Sequence, residues 1–350
     1  MKKLVGTLAA AGLIGTAAHA ESLTVTNSEI EMSGGITAGY FWNNNTTNRK
    51  DFFSVPTFAI DLSSKESAPI GFTGGIGISK HPTILDTNPN DNQFKIEYAW
   101  LTVKPTDNFK LEAGHLLTNI GYELFHTYDN QNFLYGLVWN AQPLDYPAVR
   151  ATYTILEGID VYAEYNQDTA GSAGGVNPSD AYAVGSIGSI GDVSYAISYY
   201  DYNGTKNLLD FVLSGTFSNV ETGINIDYQW LDKTAKDKIK NSGASNVDSS
   251  AIGIAMYISP KISDTLKLPI RVEFIKDGES KAQNGNVIDS GIYGVAGKSA
   301  LTFTFSPTWK PNDKSYVRVE ASYAKTDKKQ EEFDKKNNRT FLGLEIGYIF

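Results

Sequence analysis

His81, His115 and His126 are the only histidines beyond residue 20, and two of them have a carboxylate close by in sequence. His115 follows Glu112 and His126 precedes Asp129, spacings at which a carboxylate can orient an imidazole base. No serine stands in a recognisable nucleophile setting, and the zinc pattern His-Glu-x-x-His is absent. The stretches 232–249 and 277–299 hold Asp, Asn and Gly but lack a calcium-loop pattern, and they read as solvated loops. Zero cysteines leave no thiolate or disulfide chemistry. Loop histidines are therefore the expectation, with no catalytic residue, metal or cofactor.

A second constellation is charged and aromatic. The stretch 116–147 carries Glu123, Asp129 and Asp145 and no Lys or Arg. It also carries Tyr122, Phe125, Tyr128, Phe133, Tyr135, Trp139 and Tyr146. So aromatic a segment is costly in water unless it folds against something.

The elements able to position it begin after a leader. Met1-Lys2-Lys3 is basic, Leu4 to Ala17 is apolar, and Ala18-His19-Ala20 is a small-x-small cleavage site. Residues 1–20 thus read as a secretory signal, too short for a membrane anchor. Losing Lys2 and Lys3 takes the formal charge from −9 to −11. That acidity argues against nucleic acid as a partner. The chain holds 20 Tyr, 17 Phe and 32 Gly, yet no later run nears the about 20 apolar residues of a membrane helix.

What recurs instead is period two. In the last stretch Leu342, Leu344, Ile346, Tyr348 and Phe350 alternate with Gly343, Glu345 and Gly347. Alternate side chains of a strand face opposite ways. Sixteen such segments can be marked, the later ones at 148–155, 159–166, 181–188, 193–202, 208–217, 220–231, 250–259, 266–276, 300–310, 316–324 and 340–350. Their connections alternate in length. Short ones are 65–69, 105–108, 156–158, 189–192, 218–219, 260–265 and 311–313. Long ones are 43–51, 81–92, 116–147, 167–179, 232–249, 277–299 and 325–339, with 203–207 the short exception. Aromatics gather near strand ends: Tyr40, Trp42, Trp100, Tyr199, Tyr202, Tyr228, Trp230, Trp309, Tyr348 and Phe350.

Tight turns at one rim, long loops at the other and aromatic girdles describe an all-β transmembrane antiparallel β-barrel of about 16 strands. The turns are then periplasmic and the loops extracellular. Residues 21–350 form this single domain, with no plug or peptidoglycan-binding domain expected. Apolar faces turn to lipid and ionisable groups to the lumen, since Lys or Arg on the lipid side costs about 2–4 kcal/mol at mid-depth.

By parity the lumen receives Lys95, Lys110, Arg150, Lys267, Arg271 and Arg318. It also receives Asp61, Glu97, Glu112, Asp160, Glu164, Asp210, Glu221, Asp227, Glu273, Glu320 and Glu345. Eleven carboxylates against six bases suggest weak cation preference. Cross-strand ion pairing is the plainer role for most. The arginines are expected to face the acidic 116–147 loop across the opening. That loop is expected to fold inward as a constriction; rim packing is its alternative.

The run Tyr98-Ala-Trp-Leu-Thr-Val-Lys104, then Leu111-Glu-Ala-Gly-His-Leu-Leu-Thr-Asn-Ile-Gly-Tyr-Glu123, Pro143 and Val149-Arg-Ala-Thr-Tyr153 resembles the OmpL-like putative β-barrel porin family. The resemblance implies a bacterial outer-membrane channel.

The expectation is a porin that passively conducts small hydrophilic solutes and ions. Its expected partners are outer-membrane lipid and lipopolysaccharide, the barrel-assembly machinery and, by analogy with porins, two further copies in a homotrimer. The alternative is a structural or adhesive surface barrel whose loops bind a partner; an enzyme ranks third.

Overall fold

The computed structural model describes residues 23–24, 30–47, 49–295 and 297–350; the leader, 1–20, lies outside them. Sixteen wall strands follow one another. They are β1 (Ile30–Asn43), β2 (Asp51–Ser54 and Thr57–Ser64), β3 (Ile70–Ser79), β4 (Lys95–Thr106), β5 (Phe109–Leu117) and β6 (Asp145–Leu156). Next come β7 (Ile159–Asn166), β8 (Ala181–Ile190), β9 (Val193–Tyr202), β10 (Lys206–Phe217), β11 (Val220–Leu231) and β12 (Ser250–Pro260). The last are β13 (Leu266–Lys267 and Ile270–Lys276), β14 (Ser299–Phe305 and Thr308–Asn312), β15 (Ser315–Gln330) and β16 (Lys336–Ile349).

Each strand pairs antiparallel with the next, and β1 pairs with β16 from Gly35↔Ile349 to Asn43↔Phe341. The sheet is thus a closed 16-strand barrel. Closure leaves no row of unpaired backbone groups at an edge.

The faces follow the alternation. On β16, Leu342, Leu344, Ile346 and Tyr348 are 47–58% exposed, while Phe341 and Glu345 are at most 1% exposed. An apolar outside and a charged inside is a soluble protein inverted, and it suits lipid. Leu344→Arg should therefore cost about 2–4 kcal/mol of folding free energy in vesicles. Urea titration of folding into lipid vesicles measures this, and Leu344→Ile should fold like the parent.

Three wall strands that the alternation predicts as continuous are broken, each at a proline: Pro56 in β2, Pro269 in β13 and Pro307 in β14. Proline has no N–H for the ladder. Its carbonyl still serves: Lys80 N, Ser306 N and Val319 N donate to Pro56, Pro269 and Pro307.

Away from the turn irregularity at 103–106, parity fails at one place on β4. Gly75 pairs with Tyr98 and Ile76 with Ile96, so Glu97 is an extra, bulged residue. One extra residue flips every later side chain. Ile96 points outward but Tyr98 and Trp100 point in, and Ala99, Leu101 and Val103 take the outer face. Trp100 is therefore not in a girdle. Nor is Tyr202, which is buried inside against Tyr200 at 4.5 Å.

Beyond the short ladder of Ser280–Lys281 with Val287–Asp289 and the single 3-10 turns at Thr127–Asp129 and Trp139–Ala141, two expected loops contain longer regular structure. β15 and β16 run past the apolar band as a hairpin, leaving only 331–335 as its tip. There the strand residues are polar on both faces, the buried ones included (Thr326, Gln330, Arg339), so no apolar stripe marks the strands. Within 232–249, helix α1 (Lys233–Asn241) buries Ala235 and Ile239, one turn apart, against Ala173, Val176, Ile288 and Ile292 from neighbouring loops.

Candidate functional site: a loop tied inside the lumen

The segment 118–144, between β5 and β6, lies inside the barrel. Its aromatic content is the reason: Phe133, Leu134, Tyr135, Leu137 and Val138 are at most 2% exposed. Phe133 stacks on Phe41 at 4.2 Å and lies parallel to Phe341 at 5.7 Å. Tyr122 stacks on Tyr257 at 3.8 Å. Wall glycines make room for these rings. A Cβ on Gly223 would collide with Tyr122, and one on Gly35 would come within 2.9 Å of Tyr128.

The loop also holds its own shape. Asn130 accepts from Leu124 N at 2.7 Å and donates to Leu124 O at 2.8 Å and His126 O at 3.1 Å. Tyr135 donates to Phe125 O at 2.6 Å. Gly121 adopts φ +92°, a conformation L side chains avoid, and its N–H donates to Asp210.

Irregular backbone at membrane depth must have its polar groups satisfied by protein or water. Here the lumen charges do it. Glu320 accepts from Phe133 N at 2.5 Å and Leu134 N at 3.1 Å, and Glu273 from Val138 N at 3.1 Å. Arg271 donates to Leu134 O at 2.6 Å, Arg318 to Asn130 O at 2.6 Å and Thr127 O at 3.0 Å, and Arg150 to Leu117 O at 2.7 Å. Lys206 donates to Ala141 O at 3.1 Å. Wall carboxylates thus take the loop's N–H groups and wall cations its carbonyls.

The arginines therefore stand differently from expectation. They do not look at the acidic loop across an opening. Arg150, Arg271 and Arg318 are 2–7% exposed; Arg271 and Arg318 bond directly to it, and Arg150 bonds to Leu117 O at the end of β5, where the loop departs. Each is also ion-paired: Arg150 with Glu164 at 2.6 Å, Arg271 with Glu123 and with Glu273 at 3.2 Å, and Arg318 with Glu345. Burying these charges is tolerable because each of the three arginines has both carboxylate and carbonyl partners.

The other sequence candidates separate. Lys110 pairs with Glu112 at 3.1 Å inside. Lys95, half exposed, pairs with Asp91 at 2.7 Å. Asp129 lies on the loop, partly buried. Asp145 is not part of the inward segment. It opens β6 on the face of Pro147 and Val149, which points outward, and pairs with His115 Nε2 at 2.5 Å. His115 thus meets Asp145 rather than Glu112. His126 meets Ser79 at 2.9 Å and Asp61 at 3.5 Å rather than Asp129. Asp61 in turn accepts from Tyr98 and, at 3.4 Å, from Tyr128. The His126 and Tyr128 contacts clamp the loop to the wall, while His115–Asp145 and Tyr98–Asp61 join one wall strand to another.

Lys206 and Arg339 escape the sequence argument because both fall in stretches read as loops. Extending parity one step from Leu208 and Phe341 would have turned them inward.

Two other loops cover the mouth. In 80–94, Pro82 O accepts from Tyr135 N at 2.7 Å, and Arg339 donates to Ile84 O and Leu85 O at 2.9 and 2.8 Å. Burial holds the His81 imidazole down at about 4, so it is neutral around pH 7. In 277–298, Tyr293 reaches Gly253 on the inner wall. Burial pushes the Asp277 carboxyl up although three backbone N–H groups bind it. Burial also opposes ionisation of Glu279, but hydrogen bonds from Lys328, Lys281 and Gly297 N prevail and hold it below the usual range.

Solved porins share the architecture. An anion-selective porin from Comamonas acidovorans superposes with a TM-score of 0.63 at 10% identity, covering 92% of this chain and 99% of that one. OmpF of Salmonella typhi, in complex with daunomycin, gives 0.61 at 10%, covering 94% and 100%. OmpT of Vibrio cholerae, in its trimer form, gives 0.58 at 12%, covering 92% and 99%. At such identities the likeness is one of fold. A search of curated proteins finds no match. The sequence profile of "Putative beta-barrel porin-2, OmpL-like" matches residues 29–350, nearly the whole barrel. The chain belongs to this family of outer-membrane β-barrel porins.

Proposed function

We propose that this porin is a narrow passive channel for small hydrophilic solutes and ions, with the 118–144 loop as its constriction. The observation that carries this reading is the loop itself, held across the interior by wall charges rather than lying on the rim. An open 16-stranded cylinder is wide enough for an aqueous channel. Cavities of about 70 and 20 Å³ flank the loop, which suits small permeants. No reaction is assigned to the chain.

Weak cation preference is part of the proposal. The three lumen arginines are spent on carbonyls and carboxylates, so they contribute little free positive field. A homotrimer, with lipopolysaccharide at its lipid face and assembly by the barrel machinery, completes it. The trimer form of the Vibrio OmpT supports the first of these by likeness.

Purified protein in a planar bilayer should show discrete conductance steps, and silence at every voltage would end the channel reading in favour of a surface barrel with a filled lumen. In a tenfold KCl gradient the reversal potential should have the sign for cations, and a clear anion sign would refute the preference.

A further inference from the structure

Beneath the loop, toward the short-turn rim, is the cavity of about 70 Å³. Residues 128–131 of the loop roof it, and the short-turn ends of β11 to β16 wall it. The register sets its charge. Lys267 on β13 lies opposite Thr308 on β14, and Thr308 lies opposite Arg318 on β15. Lys310, two residues on from Thr308 and on the same face, lines the cavity with them. Three neighbouring strands thus put three cations side by side, an arrangement that costs free energy unless anions offset it.

Two of the three are offset by the protein. Lys267 pairs with Glu221 and Arg318 with Glu345. Lys310 makes no ion pair with a described residue, although its side chain is partly buried between the other two. On β12, opposite Glu221, Ser259 also lines the cavity; its hydroxyl is fully buried and has no hydrogen-bond partner among the described residues. A buried hydroxyl left unsatisfied is costly, because it has given up water without gaining a partner. Asp129, at the roof, is the cavity's other carboxylate besides Glu221.

We propose that this niche binds a small oxyanion, a carboxylate or phosphate, with Lys310 as its charge partner and Ser259 as hydroxyl donor. The inference takes the channel reading as its setting and gives it a resident site on the periplasmic side. A bound anion there adds negative charge to the pathway and so favours cations in transit.

Calorimetric titration of inorganic phosphate into the folded full-length barrel in detergent tests it. Saturable binding is expected, weakened about tenfold or more by Lys310→Met and less by Ser259→Ala, with Lys336→Met on the outer hairpin unchanged. Heat-modifiable gel migration checks folding, and Lys310→Gln replaces the Met variant if that one fails it. No saturable phosphate heat from the parent protein overturns the site, as does parental affinity in a folded Lys310 variant. Bilayer conductance of the same preparation judges the channel separately: a barrel that conducts but takes up no phosphate loses this inference alone.

Discussion

Removing residues 122–144 and joining the ends with a short Gly/Ser link should raise single-channel conductance about threefold or more, because the cylinder behind the loop is wide. The barrel should survive the deletion. Its wall pairs do not run through the loop, and the charges that now hold loop backbone would meet water in an opened lumen. Arg271, Glu273, Arg318 and Glu320 would lose protein partners but gain hydration, unlike a charge stranded in a closed interior. The check is the step size in planar bilayers at fixed salt, with heat-modifiable migration showing that the variant is folded. Steps of parental size from a folded deletion variant would sink the constriction claim and leave the channel claim standing.

Arg271→Met is the substitution with the largest expected cost to stability. Arg271 is 2% exposed and lies between Glu123 and Glu273 while donating to Leu134 O. Its loss leaves two buried carboxylates facing each other and a carbonyl without its donor. Breaking a buried pair from one side costs about 3–5 kcal/mol. The urea midpoint of folding in vesicles should fall accordingly. Adding Glu123→Gln and Glu273→Gln should recover much of the loss, since the repulsion then disappears. As a contrast, Lys95→Met breaks only an exposed pair with Asp91, and such pairs are worth about 0–1 kcal/mol. Equal effects at Arg271 and Lys95 would show that the loop anchors carry no special weight.

Much of the wall is legible in the sequence alone. Alternation on β16 shows which face meets lipid, because every second residue there is large and apolar. Loop parity shows the closed topology. The inward loop is legible from one composition fact, seven aromatics with no Lys or Arg in 116–147. What was hidden is of a different physical kind. The Glu97 bulge is one residue of register, and nothing in the local sequence announces it. The outer hairpin of β15 and β16 has two polar faces and so no pattern. Most of the anchors join residues more than a hundred positions apart, such as Arg318 and Asn130, and only the closed barrel brings them together. Asp145 was misplaced because it ends the loop in sequence but starts a strand in space.

The way the wall grips the loop has a consequence for variation. Glu320, Glu273, Arg271, Arg318 and Lys206 hold peptide groups, which every amino acid except proline supplies in full. Side chains along 118–144 that point away from these grips are then free to change without loosening the loop's path. Attachment and selectivity become separable traits. A lineage can retune what passes by replacing a few loop residues, and an engineer can graft new side chains onto the same track, provided no proline lands at Phe133, Leu134 or Val138.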